Sequence, residues 1–355
     1  MATLDDLSLA TRELFVRSVK HQVFMATPVL EELERRSKVT YSGGKYIERL
    51  VDTDEVDDLG QAYTANEALT DGKKDTLEKP RFDFKLYQHP MKYDVDEYLK
   101  NHNAGNEEQL LDLASFLVKK SQRGIRLALR NMMYNVNPKT RSGSETGVAD
   151  GSKFFQSLLS ALDHDVTTYG TLSRTLGSTG GWWCGADPAS RPDVSGISST
   201  QNTATNISVA NFRKWLIPIE EYMESMSDLY VVMCPTLWNK LRAELEAKGQ
   251  LKDGLNQEKL KYGIQAFSID GAQIVKDPYL ENGYGTSGTT ENWVFILNLN
   301  DWEMRIHNDR NFKQTEFKWQ GENANGYDYW LARILLSGNM MCWKPNGSMW
   351  LQNVS

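Results

Sequence analysis

Residues 106–136, NEEQLLDLASFLVKKSQRGIRLALRNMMYNV, predict one long helix, and the rest of the chain is interpreted around it. Asn106 is a favourable N-cap, and Gln109 completes a capping-box pattern. Acidic side chains lie near the start and basic ones towards the end, an order that complements the helix dipole. About 29 helical residues would form a rod of roughly 43 Å, far longer than the usual helix of ~11–12 residues.

Two faces of the predicted helix differ in chemistry. Small and apolar residues, among them Ser121, Gly124 and Ala128, recur at helical spacing, and their small size allows another backbone to approach closely. Basic residues recur at the same spacing on roughly the opposite face. This basic stripe comprises Lys119, Arg123, Arg126 and Arg130. It is either a solvated face or a surface that faces DNA or a partner, and the pattern leaves both open.

The composition is that of a globular protein without a recognisable catalytic site. The chain has 355 residues and a net charge of −7, which excludes a basic nucleic-acid-binding surface over the whole molecule. The three cysteines are scattered and favour a reducing compartment, and the five histidines have no metal-ligand spacing, so neither a metal nor a cofactor is predicted. There is no apolar run of membrane-helix length and no signal-peptide pattern. All ten tryptophans lie at or after Trp182, which places the main core in the second half of the chain.

Residues 40–100 predict a long hairpin with oppositely charged limbs. Residues 51–71 carry seven acidic side chains and no Lys or Arg, whereas residues 72–92 carry six basic against three acidic ones. Asp71-Gly72 is the turn signal between the limbs. Because an isolated two-stranded hairpin is marginally stable in water, we expect it to lie on a neighbouring subunit. The candidate inter-subunit contacts are Asp52, Asp54, Asp57, Asp58, Asp71, Lys73, Lys74 and Arg81.

The remaining chain divides into a part in which helices and strands alternate and a part that is rich in strands. Residues 151–163 predict a short helix, and residues 165–207 form a long polar segment. Residues 208–300 predict an α/β unit with its own sheet, in which a helix over 208–227 contains Pro218. Strand patterns then dominate from residue 302 to 354.

Several motifs between residues 165 and 354 resemble, in the same order, those of the major capsid proteins of tailed bacteriophages. They are YGTLSR at 169–174 followed by Trp182-Trp183, LYVVMCP at 229–235, FSIDGAQIVKDP at 267–278, WVFILN at 293–298 and GNMMCWKP at 338–345. The residues that carry the signature are Gly170, Arg174, Trp182, Trp183, Asp270, Gly271, Asp277, Pro278 and Pro345.

The resemblance implies an α+β protein with the Hong Kong 97-type capsid fold. It would comprise an N-terminal arm, an extended β-hairpin loop, a long spine helix, a peripheral domain and an axial domain. The implied boundaries are 1–38 for the arm, 39–104 for the loop, 105–207 for the peripheral domain with the spine helix at 106–136, 208–300 for the axial domain and 301–355 for the return to the peripheral domain.

The implied function is structural and not enzymatic. The chain would assemble with itself into pentamers and hexamers of an icosahedral shell around double-stranded DNA, in a virion assembled in the host bacterial cytoplasm. Implied partners are a portal and a separate scaffolding or decoration protein, with weak non-specific DNA contact and no membrane. The alternatives are the shell of a bacterial nanocompartment, similar to an encapsulin, and a Trp-rich sugar-binding module or enzyme.

Overall fold

A computed structural model describes most of the chain. The described residues are 28–36, 38–41, 43–52, 62–65, 67, 77–96, 113–134, 153–162, 168–173, 183–186, 206–220, 222–247, 266–280, 293–320, 328–351 and 354. The first part contains helix α1 (Pro28–Arg36), short strands β1 (Lys38–Tyr41), β2 (Ile47–Glu48), β3 (Val51–Asp52), β4 (Leu77–Glu78) and β5 (Arg81–Phe82), and the long strand β6 (Lys85–Asp94).

The middle of the chain is mainly helical and the last part mainly strand. Helices α2 (Leu113–Met133) and α3 (Leu158–Leu162), strands β7 (Thr168–Tyr169) and β8 (Leu172–Ser173), helix α4 (Val209–Glu220), strand β9 (Leu229–Met233) and helix α5 (Pro235–Ala247) follow in order. The remaining strands are β10 (Ala266–Ile269), β11 (Ala272–Lys276), β12 (Val294–Asn298), β13 (Trp302–His307), β14 (Lys313–Gln314), β15 (Lys318–Trp319), β16 (Tyr329–Cys342) and β17 (Met349–Leu351).

The six-stranded sheet, called the large sheet here, is built around β16. Strand β6 pairs antiparallel with it from Lys85 opposite Gly338 to Asp94 opposite Tyr329. Strands β13, β14 and β15 share the other edge of β16, and β1 pairs in parallel with β13. Strand β6 and all of β1 except Lys38 lie in the segment 39–104, which was predicted to be the extended loop, and both strands pair within the large sheet.

The long helix predicted at the centre of the sequence is confirmed from Leu113 to Met133. Its predicted cap at Asn106 and Gln109 lies outside the described residues. The helix packs against the large sheet, and its small residues allow the close approach that was predicted. A Cβ atom added to Gly124 would lie 2.5 Å from Nε2 of His89 on β6. The sheet and the helix bury aliphatic side chains between them, including Met91 and Ile125.

The five-stranded sheet, called the small sheet here, confirms the predicted α/β unit. Its strand order is β10-β11-β9-β12-β17, with β9 and β11 parallel and the other pairs antiparallel. Every residue of β9 and β12 is buried, as expected for central strands covered on both faces. Pro235 begins α5, where its missing N–H is not needed. The edge strand β17 comes from residues 349–351, which the sequence had assigned to the peripheral part of the chain.

Two predicted helices are shorter than expected. The helix predicted over 208–227 ends at Glu220, and residues Met226–Asp228 form a separate 3-10 turn before β9. In the described part of residues 151–163, only Leu158–Leu162 is α-helical. The main core draws mostly on residues after 183, as the tryptophan distribution predicted, although residues near the start of the described chain such as Leu33 and Phe82 also belong to it.

Candidate subunit interface

The base of the predicted hairpin is a two-stranded ribbon, called the hairpin root here (residues 47–52 and 77–82). Ile47 pairs with Phe82, and Asp52 pairs with Leu77, in one continuous antiparallel register. Alternate side chains of such a ribbon point to opposite faces. One face turns towards the body of the same subunit, where Ile47 and Phe82 are each 1% exposed. The root is therefore supported by its own subunit, whereas most of the hairpin beyond it, which was expected to lie on a neighbour, is outside the described residues.

An aromatic cluster, called the aromatic anchor here, receives this inner face. The Phe82 ring lies 5.0 Å from the Tyr169 ring and 5.7 Å from the Trp343 ring, measured between centroids. The indole N–H of Trp183 donates to the carbonyl of Tyr169 at 2.7 Å. The hydroxyl oxygen of Tyr169 in turn accepts from the backbone N–H of Cys342 at 2.7 Å. These four rings (Phe82, Tyr169, Trp183 and Trp343) join the hairpin root to both the middle and the last part of the chain.

The backbone conformation and the packing at position 170 explain why the first of the sequence motifs contains a glycine there. Its φ of +57° is in the left-handed region, and a Cβ atom there would lie 2.6 Å from the Phe82 ring. The Gly170 carbonyl also accepts from the backbone N–H of Arg81 at 2.8 Å. The structure thus brings the signature residues Gly170 and Trp183 together in the aromatic anchor. Arg174 and Trp182 of the same motif lie outside the described residues.

The outer face of the hairpin root combines exposed leucines with charge. Leu50 and Leu77 are 63% and 65% exposed. Lys79 and Arg81 both form ion pairs with Glu48, whose pKa is lowered first by its hydrogen bond with Lys79. Among the predicted contacts, Arg81 is therefore paired within its own subunit, and Asp52 is exposed. Asp54, Asp57, Asp58, Asp71, Lys73 and Lys74 lie outside the described residues. The sequence pattern did not predict Leu50 and Leu77 as contacts. The charge pattern of the limbs carries no information about the apolar positions between the charges.

Only part of the basic stripe on α2 is exposed to solvent. Lys119 and Arg126 are exposed and Arg123 is half-buried. Arg126 approaches Glu34 on α1 at 3.8 Å, so α1 occupies part of this side of the helix. Arg130 is only 5% exposed, so its predicted role as a residue facing DNA or a partner is wrong. The physical reason is that the last turns of α2 are covered on all sides, as the burial of Leu129, Asn131 and Met132 shows.

The remaining signature residues have structural positions. Asp277 is fully buried, and its carboxylate accepts from the hydroxyl of Tyr134 at 2.8 Å, just after the end of α2. Burial, followed by the charge of Asp277, raises the pKa of Tyr134 well above its usual value. Pro278 begins a 3-10 turn, Pro278–Leu280. Pro345 likewise begins the buried turn Pro345–Gly347.

Asp270 and Gly271 form the tight turn between β10 and β11. Both have positive φ values, +50° and +92°. Arg213 on α4 donates to both carboxylate oxygens of Asp270, at 2.7 and 3.3 Å. This ion pair is exposed and fixes the turn at the edge of the small sheet to the adjacent helix.

Part of the large sheet has a second exposed surface, called the open face here. It consists of the side chains of residues 86–92 and 331–335 that point away from α2. Leu86 is 63% exposed, and Leu331 and Leu335 are half-buried. Exposed basic side chains surround them. These are Lys92, Lys313, Lys318 and Arg333. Asp94 balances part of this charge through its ion pair with Lys92 at 3.2 Å.

The described part of the chain has no arrangement that suggests metal or membrane chemistry. Within it, no three His, Cys, Asp or Glu side chains come together as a metal site. None of the described helices is long and apolar enough to cross a bilayer.

Comparison with solved structures identifies the fold. The capsid chain of cyanophage A-1(L) matches with a TM-score of 0.62 at 13% identity, covering 96% of this chain and 96% of that one. This match shows that the chain has the Hong Kong 97-type fold. A chain of Mycobacterium phage Ogopogo matches with a TM-score of 0.56 at 10% identity over 99% of both chains. An encapsulin complex from Synechococcus elongatus matches at 0.53 and 9% identity, over 100% of this chain and 97% of that one.

The assignment of the fold rests on the similarity of the three-dimensional structures. No protein-family profile matches the sequence, and no curated protein matches it. The confirmed fold is mixed α+β over the full length, and the capsid proteins that share it are structural and not enzymatic. Both phage capsids and an encapsulin have this fold, so the fold alone does not distinguish between the contents of their shells.

Proposed function

We propose that this chain is the major capsid protein of a tailed bacteriophage, which assembles with itself into pentamers and hexamers of an icosahedral shell around double-stranded DNA. In this proposal the protein resides in the virion and is assembled in the host cytoplasm. A portal and a separate scaffolding or decoration protein would be its other partners, and DNA contact would be weak and non-specific. The proposal keeps the predicted order of arm, extended loop, spine helix, peripheral domain and axial domain, with β1 and β6 in the large sheet and β17 in the small sheet.

The observation that carries the proposal is the two-sided hairpin root. Its inner face is fixed in the aromatic anchor, whereas its outer face leaves Leu50 and Leu77 in water. A monomeric protein gains no burial energy from two leucines that stay in water. A subunit that must present an apolar contact to a neighbour at a fixed angle does gain from it.

The open face of the large sheet is the receiving surface that fits best. Its exposed Leu86 offers apolar contact, and its basic rim is complementary to the acidic limb at residues 51–71. Exposed ion pairs contribute only ~0–1 kcal/mol each. Burying leucines that are about two-thirds exposed contributes roughly 1–2 kcal/mol each. The leucines would therefore supply most of the contact energy, and the charges would select orientation.

Serine substitutions test this contact. The L50S/L77S double variant should fold normally and lose most shell assembly, followed by light scattering and negative-stain microscopy. Ile217→Ser is the matched control, because Ile217 is also an exposed apolar residue (40% exposed) but belongs to α4 and not to the hairpin root. Shells of L50S/L77S that form and melt like the wild type would refute the proposed contact.

A nanocompartment shell is the second candidate, and the encapsulin match supports it. Such a shell would enclose protein cargo instead of DNA. Micrographs of purified shells, combined with an assay for nuclease-protected DNA, separate the two. Protected DNA of genome length supports a phage capsid, and shells that contain a protein cargo and no protected DNA support the nanocompartment.

A Trp-rich sugar-binding module or enzyme is disfavoured by the burial of the aromatic rings. Trp183, Trp215 and Trp302 are at most 2% exposed, so they cannot stack on a ligand. Among the described tryptophans, Trp319 alone is as much as half exposed. A monodisperse monomer under assembly conditions would nevertheless favour this class over both shells.

A further inference from the structure

The two sheets are joined directly by two short crossovers that lie side by side. The first, residues 299–301, leads from β12 in the small sheet to β13 in the large sheet. The second, residues 343–348, leads from β16 in the large sheet back to β17 in the small sheet. The backbone N–H of Trp343 donates to the carbonyl of Asp301 at 2.9 Å, which ties one crossover to the other. Any change in the angle between the sheets must bend both.

Asp301 places a carboxylate between these crossovers. It accepts from the side-chain amide of Asn298 at 2.7 Å. Gly347 of the second crossover packs so closely that an added Cβ atom would lie 2.8 Å from Oδ2 of Asp301. Ser348 completes the contact, since its hydroxyl oxygen accepts from the backbone N–H of Asn298 at 3.0 Å and from the indole of Trp302 at 3.2 Å.

Charged groups from three other segments act on this carboxylate. Lys344 belongs to the second crossover and Arg49 to the hairpin root, and both favour the ionised form. Glu224, which precedes the 3-10 turn Met226–Asp228, favours the protonated form. Charges from the second crossover, the hairpin root and the segment before β9 therefore all act on this one carboxylate.

We propose that the Asp301 carboxylate makes this junction a proton-sensitive hinge, which loosens while the carboxylate is ionised and tightens when it takes up a proton. The proposal goes beyond the shell function and holds for the single subunit. In a shell built from this chain, the hinge would set the angle between the two sheets in every copy.

The direction of the effect follows from the burial of the group. Burial raises the pKa of Asp301 from 3.8 to about 6, although Lys344, Asn298 and Arg49 oppose the shift. An opening that lets water reach the carboxylate would return the pKa towards its ordinary value. The closed junction therefore binds the proton more tightly than the open one, and its advantage is full at low pH and is lost as pH rises to about 6. Mild acid closes the hinge, and neutral pH loosens it.

The size of the effect is bounded by linkage. A complete return to the ordinary pKa would change the opening equilibrium by roughly 100-fold between acidic and neutral pH. Because Asp301 is only partly buried, solvent screening reduces this, and a change on the order of tenfold is expected.

Hydrogen–deuterium exchange of the full-length chain tests the hinge. Peptides covering 298–302 and 343–348 are followed at pH 7.5 and 5.0, and rates are corrected for the pH dependence of intrinsic exchange. Wild type should open on the order of tenfold less at pH 5.0 than at pH 7.5. Asp301→Asn keeps the acceptor for Asn298 without the charge, so it should show the low opening at both pH values.

Two further variants keep the test decisive. Asp309→Asn removes an aspartate that is 81% exposed and should retain the pH dependence of wild type. Glu224→Gln removes the like charge and should reduce opening at pH 7.5, even if Asp301→Asn folds poorly. Equal opening of wild type and Asp301→Asn at pH 7.5, or increased opening on acidification, would overturn the proposal. Because the readout is local, its failure would leave the shell proposal intact, and a failure to assemble would leave the hinge intact.

Discussion

Substituting Gly170 by alanine should weaken the attachment of the hairpin root to its own subunit. The left-handed backbone at this position costs an alanine about 1–2 kcal/mol. The new methyl group would lie 2.6 Å from the Phe82 ring and 3.0 Å from Cβ of Pro80. Both neighbours are buried, so they cannot move aside freely, and such overpacking costs roughly 1–3 kcal/mol. The combined loss in the free energy of unfolding should be about 2–5 kcal/mol.

A double-mutant cycle with Phe82→Leu isolates the part of this loss that comes from the Phe82 ring. Leucine removes the ring atoms that the methyl group would meet, so Gly170→Ala should cost less in the F82L background by about 1–3 kcal/mol. Urea unfolding followed by tryptophan fluorescence measures all four corners of the cycle, since Trp183 and Trp343 lie in the aromatic anchor. An equal cost of Gly170→Ala in both backgrounds would show that Gly170 is not required by its approach to Phe82.

Three other predictions concern single side chains. Tyr134→Phe should lower the free energy of unfolding by about 1–3 kcal/mol, because the buried carboxylate of Asp277 loses a donor; a loss below 0.5 kcal/mol in urea unfolding would contradict this. Arg126→Gln should change stability by no more than ~1 kcal/mol, because its side chain is 59% exposed and its ion pair is long. Arg130→Gln should lower the free energy of unfolding by about 1–3 kcal/mol in the same experiment, because that side chain is buried. Equal effects of the two variants would contradict the burial of Arg130.

The sequence predicted elements whose signals are local and periodic. The long helix, the α/β order of residues 208–300 and the strand-rich end have patterns that repeat every two or three to four residues, and the structure contains all three. The stripe of small residues around Gly124 also predicted a close contact, and His89 makes that contact.

The sequence did not predict which strand joins which sheet. Residues 85–94 have the alternation of a hairpin limb, but all ten pair with a partner strand more than two hundred residues away. Met349–Leu351 likewise crosses to the small sheet although its neighbours belong to the large one. Pairings of this kind depend on tertiary contacts that no local pattern records. Arg130 was misplaced for a related reason, since helical spacing defines a face but does not say what covers it.

The position of β16 also has a consequence for the timing of synthesis. Lys85 of β6 is made long before its partner Gly338, with roughly 250 residues between them. At about 5–20 residues per second, the ribosome needs on the order of 10–50 s to supply that partner. Strand β17, which completes the small sheet, emerges later still. A nascent chain therefore has neither sheet complete, and it cannot present a finished surface to finished subunits until translation of this strand is over. In the proposed shell protein, the late position of the central strand would prevent premature association of the chain on the ribosome.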